Sequence, residues 1–268
     1  MIRATTNAEK VTDYVESVLT GRRVAGKLER YACERYQADL VNLDDLGLRF
    51  DQGIASMACD FFQLLLHSTG EYAGQAFDLA PFQRFICWNL FGFRRKKDNL
   101  RRFRKAFISM GRGNGKSPFA AALLLMLFGF DYPHEPRAEC YTVATKRDQA
   151  RIVFDEIKRF VERQPDLKKL VKILRSNLTI PSTGSTLEPL GSDSKTKDGL
   201  IPHAIALDEL HAWSHYHAEL WEKLATALGK RRQPLLIAIT TAGNEKSTVW
   251  REQYEAAVDV VTPACPMR

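Results

Sequence analysis

The segment Met110-Gly111-Arg112-Gly113-Asn114-Gly115-Lys116-Ser117 carries the residue types that hold a phosphate chain. It lies between the apolar-basic run at residues 103–109 and the apolar run at residues 119–130, and so reads as strand, phosphate loop, helix. In that arrangement the backbone N–H groups of Gly111, Arg112, Gly113, Asn114 and Gly115 converge on an anion at a helix N-terminus. Lys116 adds a positive charge for the β- and γ-phosphates of ATP, and Ser117 offers a hydroxyl to Mg²⁺. The familiar spacing G-x-x-x-x-G-K-[ST] is kept except at its first position, where Met110 stands for glycine.

A second constellation strengthens the first. Ala204-Ile205-Ala206-Leu207-Asp208-Glu209 is an apolar strand running into two acids. The end of a buried parallel strand is where carboxylates reach a phosphate loop. Asp208 is placed to hold Mg²⁺ through water, and Glu209 to polarise the attacking water. Pro234-Leu235-Leu236-Ile237-Ala238-Ile239 is another apolar strand, ending in Thr240-Thr241-Ala242-Gly243. Small hydroxyl residues at such a tip can touch the γ-phosphate or its water and move when it leaves, which makes Thr240, Thr241 and Gly243 coupling candidates. Read alone, this stretch is only a strand and a turn.

Other side chains compete for attention. His211, His215 and His217 follow the acids, with His211 and His215 at i, i+4 spacing. Zinc would need a further ligand, and no cysteine is near in sequence. His211 reads instead as a residue that positions Glu209 or senses the nucleotide. Arg94-Arg95-Lys96-Lys97 with Arg101, Arg102, Arg104 and Lys105 forms a dense basic segment. It reads as a solvated loop or a track for a DNA backbone, with few aromatics for base stacking.

These residues need a scaffold, and hydrophobic periodicity supplies its outline. Residues 1 to about 75 read as a helical N-terminal region, with helices over residues 7–19, 27–43 and 52–67. Residues 76–262 then alternate strand and helix. Strands are expected at 103–110, 139–144, 204–207 and 235–240, with helices at 116–129, 147–163, 216–228 and 247–260. That alternation predicts an α/β fold with a mostly parallel sheet flanked by helices. An extra strand between the two phosphate motifs, and Glu209 directly after Asp208, point to the RecA-like branch of P-loop NTPases.

The wording and order of these motifs resemble the large terminase subunit of tailed bacteriophages. The stretches that carry the resemblance are Ala80–Phe85, Met110–Ser117, Ala144–Ala150, Gly191–Gly199, Leu207–His211 and Ile239–Gly243. The deviant phosphate loop, with Arg112 and no leading glycine, is itself a trait of that family. The resemblance implies an ATP hydrolase that drives double-stranded DNA into a preformed capsid. It also implies a homo-oligomeric ring on the capsid portal, working with a small terminase subunit in the host cytoplasm. It gives Gln83 the role of recognising adenine, for which a bidentate amide is chemically suited; without the family, Gln83 beside Pro81 reads as a helix-start residue. Arg112 can stabilise γ-phosphate charge in cis, whereas the family more often takes that arginine from a neighbouring subunit, with Arg231 and Arg232 as possible donors. Lys146, Arg147, Lys195 and Lys197 lie in loops that would grip DNA phosphates in the pore of a ring. Large terminases continue into a nuclease domain. This chain ends at Arg268, so residues 263–268 read as the start of a linker, and nuclease activity is not expected.

Composition accords with this reading. Lys plus Arg number 39 against 32 for Asp plus Glu, a net charge of +7 that suits a polyanionic partner. The odd cysteine count, 5 without a C-x-x-C pair, fits a reducing compartment. The longest apolar run is too short to span a bilayer, and no signal peptide is recognisable. Two other function classes remain open to the residues: a DNA helicase or translocase outside packaging, which would normally carry a second RecA-like domain, and a nucleotide-gated DNA-binding module with little turnover. Glu209 argues against the latter, since a mere switch needs no general base.

Overall fold

The computed structural model describes residues 5–191 and 199–262. By their contacts these residues form two units, one of residues 5–63, 78–103 and 254–262, the other of residues 64–77 and 104–253. This differs from a single division after residue 75. Residues 64–77 go with the sheet because Ser68 Oγ donates to Glu156 at 2.7 and 2.8 Å, and the Arg163 guanidinium donates to His67 O at 2.9 Å and Ser68 O at 3.1 Å.

The first unit is mainly helical: α1 (Asn7–Leu19), α2 (Lys27–Val41), α3 (Gln52–Gln63) and α4 (Pro81–Gly92) accompany an antiparallel pair, β1 (Leu48–Phe50) with β2 (Phe93–Arg95). Thr6 caps α1 by accepting from Glu9 N–H while the Glu9 carboxylate reaches back to Thr6 N–H, so two orphan donors are satisfied. Val11, Tyr14, Val15 and Val18 recur at helical spacing and are buried. The basic segment is divided: Lys96, Lys97, Arg104 and Lys105 are exposed, as a solvated loop would have them, and the rest turn inward. Arg94 and Arg101 are buried, with Arg94 Nε donating to Phe91 O and Arg101 lying over the Phe91 ring. Arg102 pairs with buried Asp39 at 2.6 Å and stacks over Phe93 and Phe103. Arg95 pairs with Asp98, and Lys96 with Asp44. Most of these charges bind the unit itself.

The second unit is built on a seven-stranded sheet in the order β3-β9-β8-β4-β7-β6-β5. Its elements in chain order are β3 (Lys105–Ser109), α5 (Lys116–Gly129), β4 (Glu139–Ala144), α6 (Arg147–Arg163), α7 (Pro165–Leu170), β5 (Lys172–Ile173), β6 (Leu178–Ile180), β7 (Ser185–Gly191), β8 (Pro202–Asp208), α8 (Ala218–Ala227), β9 (Leu235–Thr240) and the first turns of α9 (Thr248–Val261), whose residues from Tyr254 count with the first unit. Strands β3, β9, β8, β4 and β7 run parallel, while β6 and β5 close one side antiparallel. Every residue of β8 and β9 is buried, which is why both read as continuous apolar runs rather than alternating ones.

Helices cover both faces of this sheet. Ile205 and Leu207 of β8 join Trp213, Trp221, Leu224, Leu228 and Val249 in one core. Successive side chains on a strand point to opposite faces, so Ala204 and Ala206 lie on the other one. Their small size suits α5, which contacts β8 there and is buried on nearly every side. Helix α6 is amphipathic and buries Ala150, Val153, Phe154, Ile157, Phe160 and Val161. The strand bearing the phosphate loop and the strand bearing the acids are not neighbours. Strand β9 lies between them, and β4 extends the sheet beyond β8, as the RecA-like branch requires. No helix among the described residues is long and apolar enough to cross a membrane.

Candidate active site at the carboxyl edge of the sheet

Register brings the chemistry to one edge. Ser109 pairs with Thr240, Asp208 with Ile239, Val143 with Leu207 and Ala144 with Gly191, so these parallel strands end together. The loops leaving that edge hold Met110–Ser117, Glu209–His211, Thr241–Gly243 and Thr145–Lys146. Open α/β sheets bind ligands there.

The phosphate loop continues the ladder by one bond, Met110 N–H donating to Thr240 O at 3.0 Å. A bulky residue is thus accommodated at Met110, where the common pattern has glycine. Gly113 and Gly115 have φ of 83° and 69°, the left-handed region that a side chain would strain. Asn114 Nδ2 bridges the turn to Gly111 O at 3.2 Å. Residues 111–115 are exposed, Arg112 among them, whereas Lys116 at the start of α5 is only 9% exposed. Pro118 sits in the first helical turn, where its missing N–H has no intrahelical partner to lose.

Lys116 and the acids meet directly. Lys116 Nζ donates to Glu209 Oε1 at 3.0 Å and Oε2 at 3.2 Å. Glu209 itself takes φ 53° and ψ 47°, a left-handed conformation uncommon for a residue with a Cβ and the kind of local strain that functional sites retain. Asp208 is 5% exposed and accepts Glu209 N–H at 2.9 Å. Burial, then the neighbouring Glu209 charge, pushes its carboxyl up to about 6, opposed by the Glu209 N–H bond, by Lys116 and by a hydrogen bond to Ser117.

Behind Glu209 stands His211. Its Nδ1 lies 2.9 Å from Glu209 Oε2, 3.1 Å from Thr241 Oγ1 and 3.3 Å from Thr240 Oγ1. Its backbone N–H donates to Thr240 Oγ1 at 2.9 Å, and its carbonyl accepts from Ser247 Oγ at 2.5 Å. The other two histidines go elsewhere: His215 stacks on Tyr216 at 3.8 Å, and His217 Nδ1 lies 3.2 Å from Ser214 N. Thr240 is fully buried, and Gly243 lies under Trp250, where a Cβ would come within 2.6 Å of the indole.

The donor set fits a magnesium nucleotide. A buried carboxyl and a hydroxyl, Asp208 and Ser117, are hard oxygen ligands of the type Mg²⁺ takes sparingly alongside phosphate oxygens. The Lys116 ammonium and the glycine-rich turn supply the charge and N–H groups for the phosphates.

A family description matches residues 81–259, that of the terminase large subunit, ATPase domain. This chain belongs to that family. The large terminase subunit of Enterobacteria phage HK97 is 29% identical over 187 residues, covering 68% of this chain and 36% of the relative. The crystal structure of the HK97 bacteriophage large terminase superposes with a TM-score of 0.63 at 24% identity, over 76% of this chain and 42% of that one. That likeness shows the fold. The Thermus phage P74-26 large terminase ATPase domain also matches, with a TM-score of 0.42 at 21% identity over 54% of this chain and 62% of that one. The chain thus spans well under half the length of the HK97 proteins it matches.

The remaining terminase-type residues are distributed as follows. Gln83 is buried in the helical unit, and its Oε1 accepts Ala80 N–H at 3.1 Å at the start of α4, the helix-start role that residue types alone allow. Lys146 and Arg147 are exposed at the start of α6. Lys195 and Lys197 lie outside the described residues. Arg231 is not a free finger, because its guanidinium bonds Ile201 O, Glu135, Pro136 O and Arg137 O. Arg232 is exposed. Sequence reasoning passed over Ser247 and Trp250, which tie the β9 tip to α9. The spacing of Asn244 and Ser247 before an apolar-periodic run was the available signal of a capped helix start.

Proposed function

We propose that this chain binds and hydrolyses MgATP and uses the cycle to move double-stranded DNA into a capsid, as the ATPase part of a packaging motor. The observation that carries the proposal is the Lys116–Glu209 contact, which joins a phosphate loop to an acid at the shared edge of parallel strands. With ATP bound, Lys116 leaves Glu209 for the β- and γ-phosphates, so nucleotide binding itself frees the acid. Glu209 then orients a water for in-line attack on the γ-phosphate and takes its proton. Asp208 and Ser117 hold Mg²⁺, which when bound neutralises charge on the phosphate oxygens. Arg112, or an arginine from a neighbouring chain, stabilises the transferred phosphoryl group, and Gln83 keeps the adenine-reading role that the family implies. The Thr240–Gly243 tip relays loss of phosphate.

Family membership supports the setting: a homo-oligomeric ring on the capsid portal in the host cytoplasm, working with a small terminase subunit and a nuclease domain. Lys146 and Arg147, with Lys195 and Lys197, grip the DNA backbone. Lys116→Ala tests the site. It should weaken MgATP binding and lower turnover by about 10²-fold or more, through loss of a preorganised charge at the phosphates. Unchanged binding and turnover would refute the site.

A further inference from the structure

We propose that His211 is a positioning residue that makes the setting of Glu209 and the setting of the β9 tip depend on each other; this rests on the ATPase reading above. Three oxygens surround one ring nitrogen, Nδ1: Glu209 Oε2 at 2.9 Å, Thr241 Oγ1 at 3.1 Å and Thr240 Oγ1 at 3.3 Å. A ring nitrogen carries either one proton or one lone pair, so it serves one partner well at a time. Thr240 is already committed, since its hydroxyl donates to Thr241 O at 2.8 Å and receives His211 N–H at 2.9 Å. Two competing bonds remain. Nδ1–H donates to the Glu209 carboxylate, or Thr241 Oγ–H donates to a bare Nδ1.

These bonds exclude each other. When Glu209 swings from the imidazole toward its water, Nδ1 becomes available to Thr241, and the ring proton moves to Nε2 through solvent, to which the side chain is 26% exposed. The β9 tip thereby registers where the acid stands. The same residue reaches further, because its carbonyl holds Ser247 Oγ, and Ser247 Oγ accepts Asn244 N–H at 3.0 Å just ahead of α9. Trp250 on the first turns of α9 packs on Gly243 without room for a methyl group. Acid, strand tip and helix start therefore share one residue.

The test uses the full chain, with MgATP turnover and nucleotide affinity measured on variants checked for folding by thermal melting. His211→Ala should lower kcat by about 10- to 100-fold, as expected for a misplaced catalytic group, while KM and nucleotide affinity hold. His211→Asn, which keeps an amide near the position of Nδ1, should recover most of the rate; His211→Gln, which reaches past it, should not. Thr241→Val should also lower kcat and add nothing on top of His211→Ala, because the two act as one unit. Should His211→Ala fail to fold, His211→Asn with and without Thr241→Val carries the test. A folded His211→Ala with wild-type kcat, or additive losses in the double variant, would overturn the proposal. Wild-type protein whose turnover ignores Glu209→Gln would instead overturn the ATPase reading on which it rests.

Discussion

Asp208 occupies a position that is costly for a carboxylate in the absence of a cation. It is 5% exposed, and burial beside Glu209 lifts its carboxyl from an ordinary 3.8 to about 6. The sign of the linkage follows. Because the folded value is raised, the neutral form favours the fold below about 4, and that contribution is lost as pH rises through about 6. At neutral pH the ionised group then weighs against the metal-free fold by about 3 kcal/mol, at 1.36 kcal/mol per unit. Asp208→Asn keeps an oxygen for Glu209 N–H and removes the charge. It should raise the melting temperature of the metal-free protein above pH 6, leave it nearly unchanged at pH 4, and abolish Mg²⁺-dependent turnover. A variant less stable than wild type at pH 7.5 would contradict the electrostatic account. The buried thiols behave in the same direction: burial pushes Cys33 and Cys59 up to about 12, which keeps them neutral and unreactive.

Among the elements, those whose residues face one way were legible. The sequence limits for α1, α5 and α6 coincide with the observed helices, because a full apolar run or a clean amphipathic period leaves little choice. The helix expected over residues 52–67 stops at Gln63. Its apolar run at 61–66 fits helix and strand equally, and tertiary bonds decide, with Leu66 bridging Ala76 and His67 N–H donating to Gln75 O. Strand β7 was not anticipated, since Ser185–Gly191 alternates in burial and contains Pro189. Proline is tolerated there because β6 pairs only with Ser185–Leu187, leaving Pro189 beyond its reach. Arg231 is the counterpart on the loops. It binds the segments before β4 and β8 from a position just ahead of β9, and its side chain is 14% exposed. Arg231→Ala should cost about 2–4 kcal/mol by leaving Glu135 and several carbonyls without their charged donor, read as an earlier unfolding midpoint. Nucleotide affinity should be unaffected in the folded variant. Loss of turnover with full stability would instead restore Arg231 as a finger.

At the scale of the whole molecule, a net charge of +7 said less about DNA than it promised. Arg94 is buried with its Nε on the Phe91 carbonyl, while Arg101 and Arg102 lie on aromatic rings and Arg102 pairs with buried Asp39, contacts that a local charge run cannot reveal. The proposed phosphate contacts lie instead with Lys146 and Arg147, exposed at the edge of the sheet. Lys146→Ala with Arg147→Ala should weaken DNA binding evenly across sequences and reduce the salt dependence by about one unit of slope per charge removed. An unchanged slope would place the DNA elsewhere. The catalytic core was readable because each motif sits at the end of its own strand, and parallel pairing does the rest. What was not readable was the bonding among Lys116, Glu209, His211 and Thr241, which depends on register between strands distant in sequence.

Everything proposed for this site depends on Glu209 being the acid that activates water. The most direct test is Mg²⁺-dependent ATP turnover per chain, measured over a wide range of protein concentration for wild type and Glu209→Gln. The variant should bind MgATP as wild type does and turn over about 10²-fold more slowly or worse at every concentration, as expected when a general base is removed. A wild-type rate that climbs with concentration would assign the arginine finger to a neighbouring chain, and a flat one to Arg112. Glu209→Gln turning over as fast as wild type would contradict the account.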